Sequence, residues 1–384
     1  MAPDVIVVGL GSMGAATAYQ LASRGVRVLG LDRFTPPHGR GAHAGGSRII
    51  RLAYAEGAEY VPLVRRAYEL WAAVQESAGV ELITRTGGLM IGPLDGSIVG
   101  GALASARTHD LAHEVWEPDE VHRRFPAFTL AGGDVGLYEE VAGLLRPEAA
   151  IGAYLHVAQQ AGAELRYGVP VTGWRASADG VSVDTPDGTI TAGRLVVCPG
   201  AWAPELLADL AIPLVVHRRI QHYWSPPSAD YTLGRMPIWI WDYGPGTAAY
   251  GLPATGTGTD ATRGVKAALH HGIDPADPDA GAADATSAEV DAMRTWLSTR
   301  IPALAAAEWL GAKPCLYTLT PDEHFVLGRH PMYDTVAVAG GFSGHGFKFV
   351  PVVGEILADL VTTGSTPHPI DLFAPDRFAR ERRG

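Results

Sequence analysis

The sequence predicts an α/β chain in which a parallel sheet covered by helices is interleaved with a second α+β domain built on a mostly antiparallel sheet. Three observations carry this expectation. Asp4–Asp32 reads strand, glycine-rich turn, helix, strand. A second strand–glycine-loop–helix unit returns near the C-terminus, over Thr335–Thr362. Between the two, Pro213–Tyr250 alternates apolar and aromatic residues, as strands of another sheet would.

Each element has a local reason. Val5–Val8 is an apolar, mostly β-branched run, the pattern of a strand buried on both faces. Gly9, Gly11 and Gly14 follow as G-x-G-x-x-G, Ala15–Ser23 carries apolar residues at helical spacing, and Gly25 ends that helix. Val26–Leu31 is the next strand, with Asp32 at its end. The first glycine suits a tight turn, the second a close approach to a pyrophosphate, the third close packing of helix on strand. Phosphates then rest at the positive end of the helix dipole, and Asp32 is placed to accept hydrogen bonds from a ribose diol. The layer is therefore Rossmann-like and asks for an adenine dinucleotide, with NAD and FAD equally compatible at this point.

A long irregular segment, Arg33–Ser47, precedes Arg48-Ile49-Ile50-Arg51, whose two arginines would share a face if the piece were helical. Val61–Gln75 is an amphipathic helix, Gly87–Gly92 a strand, Pro118–Phe125 a short helix, and Arg146-Pro147-Glu148 opens a helix running to Ala161. Glu164–Tyr167 is a strand, Gly180–Ile190 a hairpin turning at Asp187-Gly188, and Arg194–Cys198 a buried strand. Thr255–Asp284 reads as mostly loop and Ser287–Leu297 as a helix. The nucleotide-binding features thus resume after an interruption. We expect 1–82, 143–215 and 315–384 to form the nucleotide-binding domain, and 83–142 with 216–314 the substrate domain.

Bulk properties narrow the function classes. The 384 residues suggest two domains, and 47% hydrophobic with 18% charged residues describes a soluble globular protein. A net charge of −11 argues against nucleic acid, and no basic run suggests an anionic membrane surface. The first strand follows Met1 closely, leaving no room for a signal peptide, and no apolar run is long enough to span a bilayer, so a cytoplasmic protein is expected. Two cysteines, Cys198 and Cys315, cannot make a zinc site alone, and no metal is expected. Cys198 ends an apolar strand and reads as a small buried residue. Cys315 follows Lys313-Pro314 and on its own reads as an ordinary thiol in a loop.

Four motifs, in order, resemble the monomeric sarcosine oxidase and N-methyltryptophan oxidase family of FAD-dependent amine oxidases. They are Asp4–Asp32; Arg48-Ile-Ile-Arg-Leu-Ala-Tyr-Ala-Glu-Gly57 with Tyr60-Val-Pro-Leu63; Cys315-Leu-Tyr-Thr-Leu-Thr-Pro-Asp-Glu-His-Phe325; and Gly341-Phe-Ser-Gly-His-Gly-Phe-Lys348. The resemblance implies FAD joined to Cys315 through the flavin 8α-methyl group, a link that needs a reactive thiolate. It implies cofactor contacts from Gly9, Gly11, Ser12, Met13, Gly14, Asp32, Arg33, His43, Ser47 and Arg48, and from Gly344, His345, Gly346, Phe347 and Lys348. Lys266, in Gly264-Val265-Lys266, matches the lysine that promotes reaction with dioxygen, since a fixed cation stabilises negative charge as it forms. Arg51 and Lys348 match the pair that receives a substrate carboxylate, a fork and a point charge. Tyr250, His270 and Tyr317 match polar residues of the substrate pocket.

The implied activity is oxidation of a secondary amino acid such as sarcosine to an imine, with dioxygen reduced to hydrogen peroxide, in a monomer. Oxidation of a cyclic imino acid or glycated amino acid, dehydrogenase behaviour and, more distantly, an NAD-dependent dehydrogenase are the alternatives. The chain departs from the family pattern His-His-Gly-Asp-Thr with His43-Ala44-Gly45-Gly46-Ser47, and Leu52 stands where a His is usual. Trp239 and Trp241 stand where aromatic pocket walls would favour a cyclic side chain, or alternatively form core.

Overall fold

The computed structural model describes residues 2–177, 179–244, 247–256, 261–272 and 274–378. Six strands form the first sheet, in the order Val326–His330, Tyr333–Gly340, Arg194–Val197, Val5–Val8, Val28–Asp32, Glu164–Tyr167. All neighbours are parallel except the first pair. Val5–Val8 lies at the centre, with Val8 opposite both Leu31 and Val197. Its four side chains are buried on both faces, which is why the sequence shows a continuous apolar run instead of alternation. The helices Ser12–Ala22, Pro147–Gln160 and Val350–Thr363 cover one face. They lie close: a Cβ added at Gly354 would stand 2.8 Å from the Ala16 backbone carbon. A three-stranded antiparallel sheet, Gly173–Ser177, Gly180–Thr185 and Gly188–Ala192, covers the other face with its apolar side. Its turn residues are Pro186 and Asp187. Thr185 pairs with Gly188, so the returning strand begins at Gly188.

The second large sheet has eight strands, ordered Trp309–Leu319, Val215–Trp224, Val265–Leu269, Thr247–Leu252, Ile238–Gly244, Gly88–Pro93, Asp134–Glu139, Glu114–Trp116. It is antiparallel apart from the pair Ile238–Gly244 and Gly88–Pro93. The strand Trp309–Leu319 runs straight across residue 315. A core of Trp224, Trp239, Trp241, Phe128, Met293 and Leu297 fills the space under the helices Ser287–Ser298 and Pro302–Ala306. Thr286 caps the first of these helices reciprocally with Glu289. Arg48–Ile50, Gly143–Leu145 and Ile83–Arg85 form a further small sheet.

Several expectations are corrected. Arg48–Ile50 is a strand hydrogen-bonded to Gly143–Leu145, not a helical turn, so Arg48 and Arg51 share no helix face. Thr255–Asp284 holds the strand Val265–Leu269, placed in mid-sheet between two longer partners; residues 257–260 and 273 of that stretch lie outside the described residues. Ser97–Thr108 is a helix that its glycines and small residues concealed. No helix among the described residues is long and apolar enough to cross a membrane, and no cluster of His, Cys, Asp and Glu among them could hold a metal ion.

Candidate active site

A cavity of about 550 Å³ opens at the carboxyl ends of the central parallel strands. Gly9, Gly11, Ser12, Met13, Asp32, Arg33 and His43 line one part of it, and Arg48, Tyr317, Gly344, Gly346 and Phe347 another. Gly9 takes φ +84°, and a Cβ there would lie 2.2 Å from the carbonyl oxygen of Cys198. Gly14 faces away from the cavity, against Gly9, where a Cβ would fall 1.7 Å from its carbonyl oxygen. A Cβ at Gly11 would instead meet only His43 Nδ1, at 3.9 Å, within 4 Å, so this glycine leaves open space at the start of the helix. That helix has no side chain capping its first turn. Asp32 accepts from Leu10 N (2.7 Å) and Phe34 N (2.8 Å). A carboxylate has about four acceptor sites, so capacity remains for a diol. Bare helix N–H groups, a cradle that a Cβ would fill and a spare acceptor fit an adenine dinucleotide.

At the edge of this cavity and beyond it the predicted residues fall into three groups. In the first, Arg48 donates to the carbonyl oxygens of Ser47 (2.8 Å), Ala42 (2.9 Å) and Ala44 (2.8 Å), and its Nη2 lies 3.5 Å from Cys315 Sγ. Cys315 is 3% exposed, in mid-strand, with Sγ 3.4 Å from the oxygen of cavity-lining Ala42. It is a buried thiol in a sheet, not one in a polar loop. Lys266 donates to Ser47 O (2.7 Å) and Gln221 Oε1 (2.9 Å). Burial brings its pKa well below a lysine's usual value, and Arg48 beside it acts in the same direction.

The second group is built on Tyr54. The Arg51 guanidinium carbon stands 4.7 Å from the ring centroid and Lys348 Nζ 4.8 Å from it. Arg51 pairs with Glu56 (2.7 Å) and donates to Ala53 O, while its buried Nε has no partner among the described residues. The desolvation Glu56 suffers would raise its pKa, but Arg51, His345 and Lys348 hold it well below the usual carboxylate range. Lys348 donates to His345 O (2.8 Å) and to Tyr54 OH (3.3 Å). His345 Nε2 faces Glu323 O at 3.0 Å and so carries the hydrogen, leaving Nδ1 to accept from Tyr54 OH at 2.6 Å. Burial lowers Lys348 to about 7 and His345 to about 4. Beneath this group, buried Glu139 accepts from Leu52 N (2.7 Å) and Ala53 N (2.9 Å), fixing the backbone after Arg51.

The third group is Tyr250, His270 and Tyr317, with Tyr317 OH 3.3 Å from His270 Nδ1. Burial, then neighbouring His271, lowers His270 to about 3, so it is neutral near pH 7. Arg219 holds this corner by donating to His270 O (3.1 Å) and Gly272 O (2.7 Å). Tyr250 is paired across the sheet with Ile240, and both are half-buried on the face opposite the tryptophan core. Trp239 and Trp241 therefore belong to the core: Trp239 stacks on Trp296 at 5.8 Å, and Ile240 between them lies on the other face, beside Tyr250.

Sequence reasoning missed Gln221, Glu56, Tyr54 and Glu139. Tyr54 and Glu56 lie inside a quoted motif, which was a signal; Gln221 sits in a strand whose polar and apolar residues follow no clean alternation.

A family model described as FAD dependent oxidoreductase matches residues 4–360. The chain is 47% identical to a monomeric sarcosine oxidase of Streptomyces avermitilis, over 98% of each chain. It is 32% identical to an N-methyl-L-tryptophan oxidase of Escherichia coli O157:H7, over 98% of this chain and 99% of that one. The solved structure of NikD, an unusual amino acid oxidase essential for nikkomycin biosynthesis, superimposes with a TM-score of 0.84 at 29% identity, covering 97% of both chains. With the parallel sheet, the glycine cradle and the matched span in agreement, the chain belongs to the family of FAD dependent oxidoreductases.

Proposed function

We propose that this protein oxidises a secondary amino acid, an N-methyl amino acid such as sarcosine, to an imine while dioxygen is reduced to hydrogen peroxide. The observation that carries the reading is the pair of buried cations, Arg51 and Lys348, both against one tyrosine ring, with Arg51 Nε unpartnered among the described residues. Such a pair suits a carboxylate, and the names of the sarcosine and N-methyl-L-tryptophan oxidase relatives point to the same substrate class.

The backbone of Gly9–Met13 and the Asp32 carboxylate would hold the adenosine and pyrophosphate end of FAD, and Gly344–Phe347 would meet the ring. When bound, the flavin supplies the electron chemistry, taking a hydride equivalent from carbon beside the amine nitrogen and passing electrons to dioxygen. Overall the amine gives up a hydrogen from carbon and one from nitrogen, dioxygen gains both, and water splits the imine into an amine and a carbonyl compound. Arg51 and Lys348 fix the carboxylate. Tyr250, His270 and Tyr317 close the pocket around the amine. A substrate ammonium among Arg48, Arg51 and Lys348 would be repelled, so the site favours the uncharged amine and needs no dedicated base. Lys266 and Arg48 present fixed positive charge to the oxygen step. Cys315 would tether the ring by a thioether, its Sγ standing 3.4 Å from the oxygen of cavity-lining Ala42. Every residue named comes from one chain, so a monomer would carry the whole site, and we place it in the cytoplasm.

Purified yellow protein mixed with a panel of sarcosine, other N-methyl amino acids, proline, pipecolate, a glycated amino acid and amines lacking a carboxylate tests the reading. Peroxide is expected from N-methyl amino acids and not from the amines; peroxide from none of them overturns it. An artificial electron acceptor in the same panel exposes dehydrogenase behaviour.

A further inference from the structure

Gln221 is 1% exposed on the strand Val215–Trp224. Its Oε1 accepts from Lys266 Nζ at 2.9 Å and from Arg48 Nη1 at 3.1 Å, and its Nε2 donates to Ala44 O at 3.1 Å. The partners fix the amide's orientation, because the reverse would aim an NH2 group at two cations and one carbonyl at another. Ser47 O is shared in the same way, by Lys266 Nζ (2.7 Å) and Arg48 Nη1 (2.8 Å). Two basic side chains are therefore held side by side by two shared neutral oxygens. Among the described residues no carboxylate is paired with either cation: their partners are the Ser47, Ala42, Ala44 and Gln221 oxygens and the Cys315 sulfur. Glu148, the acid whose charge both feel, accepts from Gly45 N (2.8 Å) and Gly46 N (3.0 Å) instead. The other groups facing Lys266 are the Tyr223 ring, 5.6 Å from Nζ, the Cys315 thiol, and apolar Leu252, its partner on the strand Thr247–Leu252. Gly45 makes room for the arrangement, since a Cβ there would stand 2.6 Å from Gln221 Oε1.

We propose that Gln221 is a positioning residue for the dioxygen step, holding Lys266 beside Arg48 without cancelling its charge. This rests on the reading of Lys266 given above. An ion pair would hold the lysine as firmly but cancel the field that an electron acceptor meets; a neutral carbonyl holds it and leaves the field. An ammonium has three donors. Ser47 and Gln221 take two of them, and the third has no partner among the described residues.

The test compares Gln221→Leu and Gln221→Glu in the flavin-loaded enzyme. Reoxidation by dioxygen is followed against pH, with the anaerobic amine half-reaction alongside. The midpoint potential of the bound flavin is titrated against pH without dioxygen. Losing the acceptor weakens the charged form of Lys266, so in Gln221→Leu fast reoxidation ends at a lower pH than in wild type. The added carboxylate strengthens the charged form but cancels its field, so in Gln221→Glu reoxidation is slower below the break while the break itself lies at a higher pH. We expect displacements of about one pH unit or more in opposite directions, with the break in the potential–pH curve moving likewise. A residue that merely filled space would move both variants together. Gln221→Glu is nearly isosteric and keeps the test open if the leucine variant fails to fold. Displacement in the same direction, or none, while Lys266→Met slows reoxidation, overturns the proposal. Wild-type reoxidation in Lys266→Met removes the reading of Lys266 itself, and the proposal with it.

Discussion

Arg51→Gln probes the carboxylate assignment through a difference that folding defects cannot imitate. The Arg51 guanidinium is 2% exposed, joined to Glu56 at 2.7 Å and lying against the Tyr54 ring, with Nε unpartnered among the described residues. A hydrogen bond to a charged group is worth about 1.5–3 kcal/mol, so losing it should weaken binding of a carboxylate substrate by about 10- to 150-fold. The substitution also strands the Glu56 carboxylate, a cost that any substrate would feel. The comparison is therefore a cycle: sarcosine against a matched secondary amine without the carboxylate, each with wild type and variant. Dissociation constants come from the concentration dependence of flavin bleaching on anaerobic rapid mixing. The expected result is that wild type prefers sarcosine and the variant loses about 10- to 150-fold of that preference. If Arg51→Gln weakens both substrates equally, Arg51 does not hold the carboxylate.

Further outcomes follow from the same geometry. Burial lowers Lys348 to about 7, with Glu56 pulling upward and Arg51 downward, so Lys348 is charged below that pH and neutral above it. Affinity for a non-oxidisable carboxylate such as acetate, read from the flavin spectrum, should fall as pH rises past about 7, and Glu56→Gln should move the fall to lower pH. Because this pKa lies below that of an unfolded lysine, the unfolded chain binds the extra proton, and stability gains from this group as pH rises through that interval. Trp239→Ala should cost about 3–5 kcal/mol in denaturant unfolding, as a fully buried aromatic does, without changing substrate preference; a shifted preference with little loss of stability would return Trp239 to the pocket. Cys315→Ala should release all its flavin on acid precipitation while wild type retains it, and release from wild type would refute the tether.

The parallel sheet was legible because its strands are buried on both faces and its turns need glycine: Val5–Val8, Gly9 and Gly14 each allow little else. The antiparallel sheet was legible only in part. Val265–Leu269 is short, with two alanines and a lysine among its five residues, and becomes a strand because Val215–Trp224 and Thr247–Leu252 flank it. For the same reason Cys315 looked like a loop thiol beside Lys313 and Pro314, although the long strand Trp309–Leu319 carries it into the interior. The face that Trp239 and Trp241 point to depends on strand register, which a single residue of slip reverses, and composition does not fix it. Arg51, Lys348 and Lys266 were identified through the resemblance. What holds them was not: Gln221 reaches Lys266 and Arg48 from a position distant in sequence, and Glu56, only five residues beyond Arg51, takes its meaning from the burial of the pair, which composition does not show.

Anaerobic mixing of the purified enzyme with sarcosine or another N-methyl amino acid, followed by admission of air, tests the central claim most directly. The account predicts that the yellow absorbance bleaches, returns with dioxygen, and leaves one equivalent of hydrogen peroxide per amine oxidised. A colourless protein, or a flavin that no secondary amino acid bleaches, would contradict it.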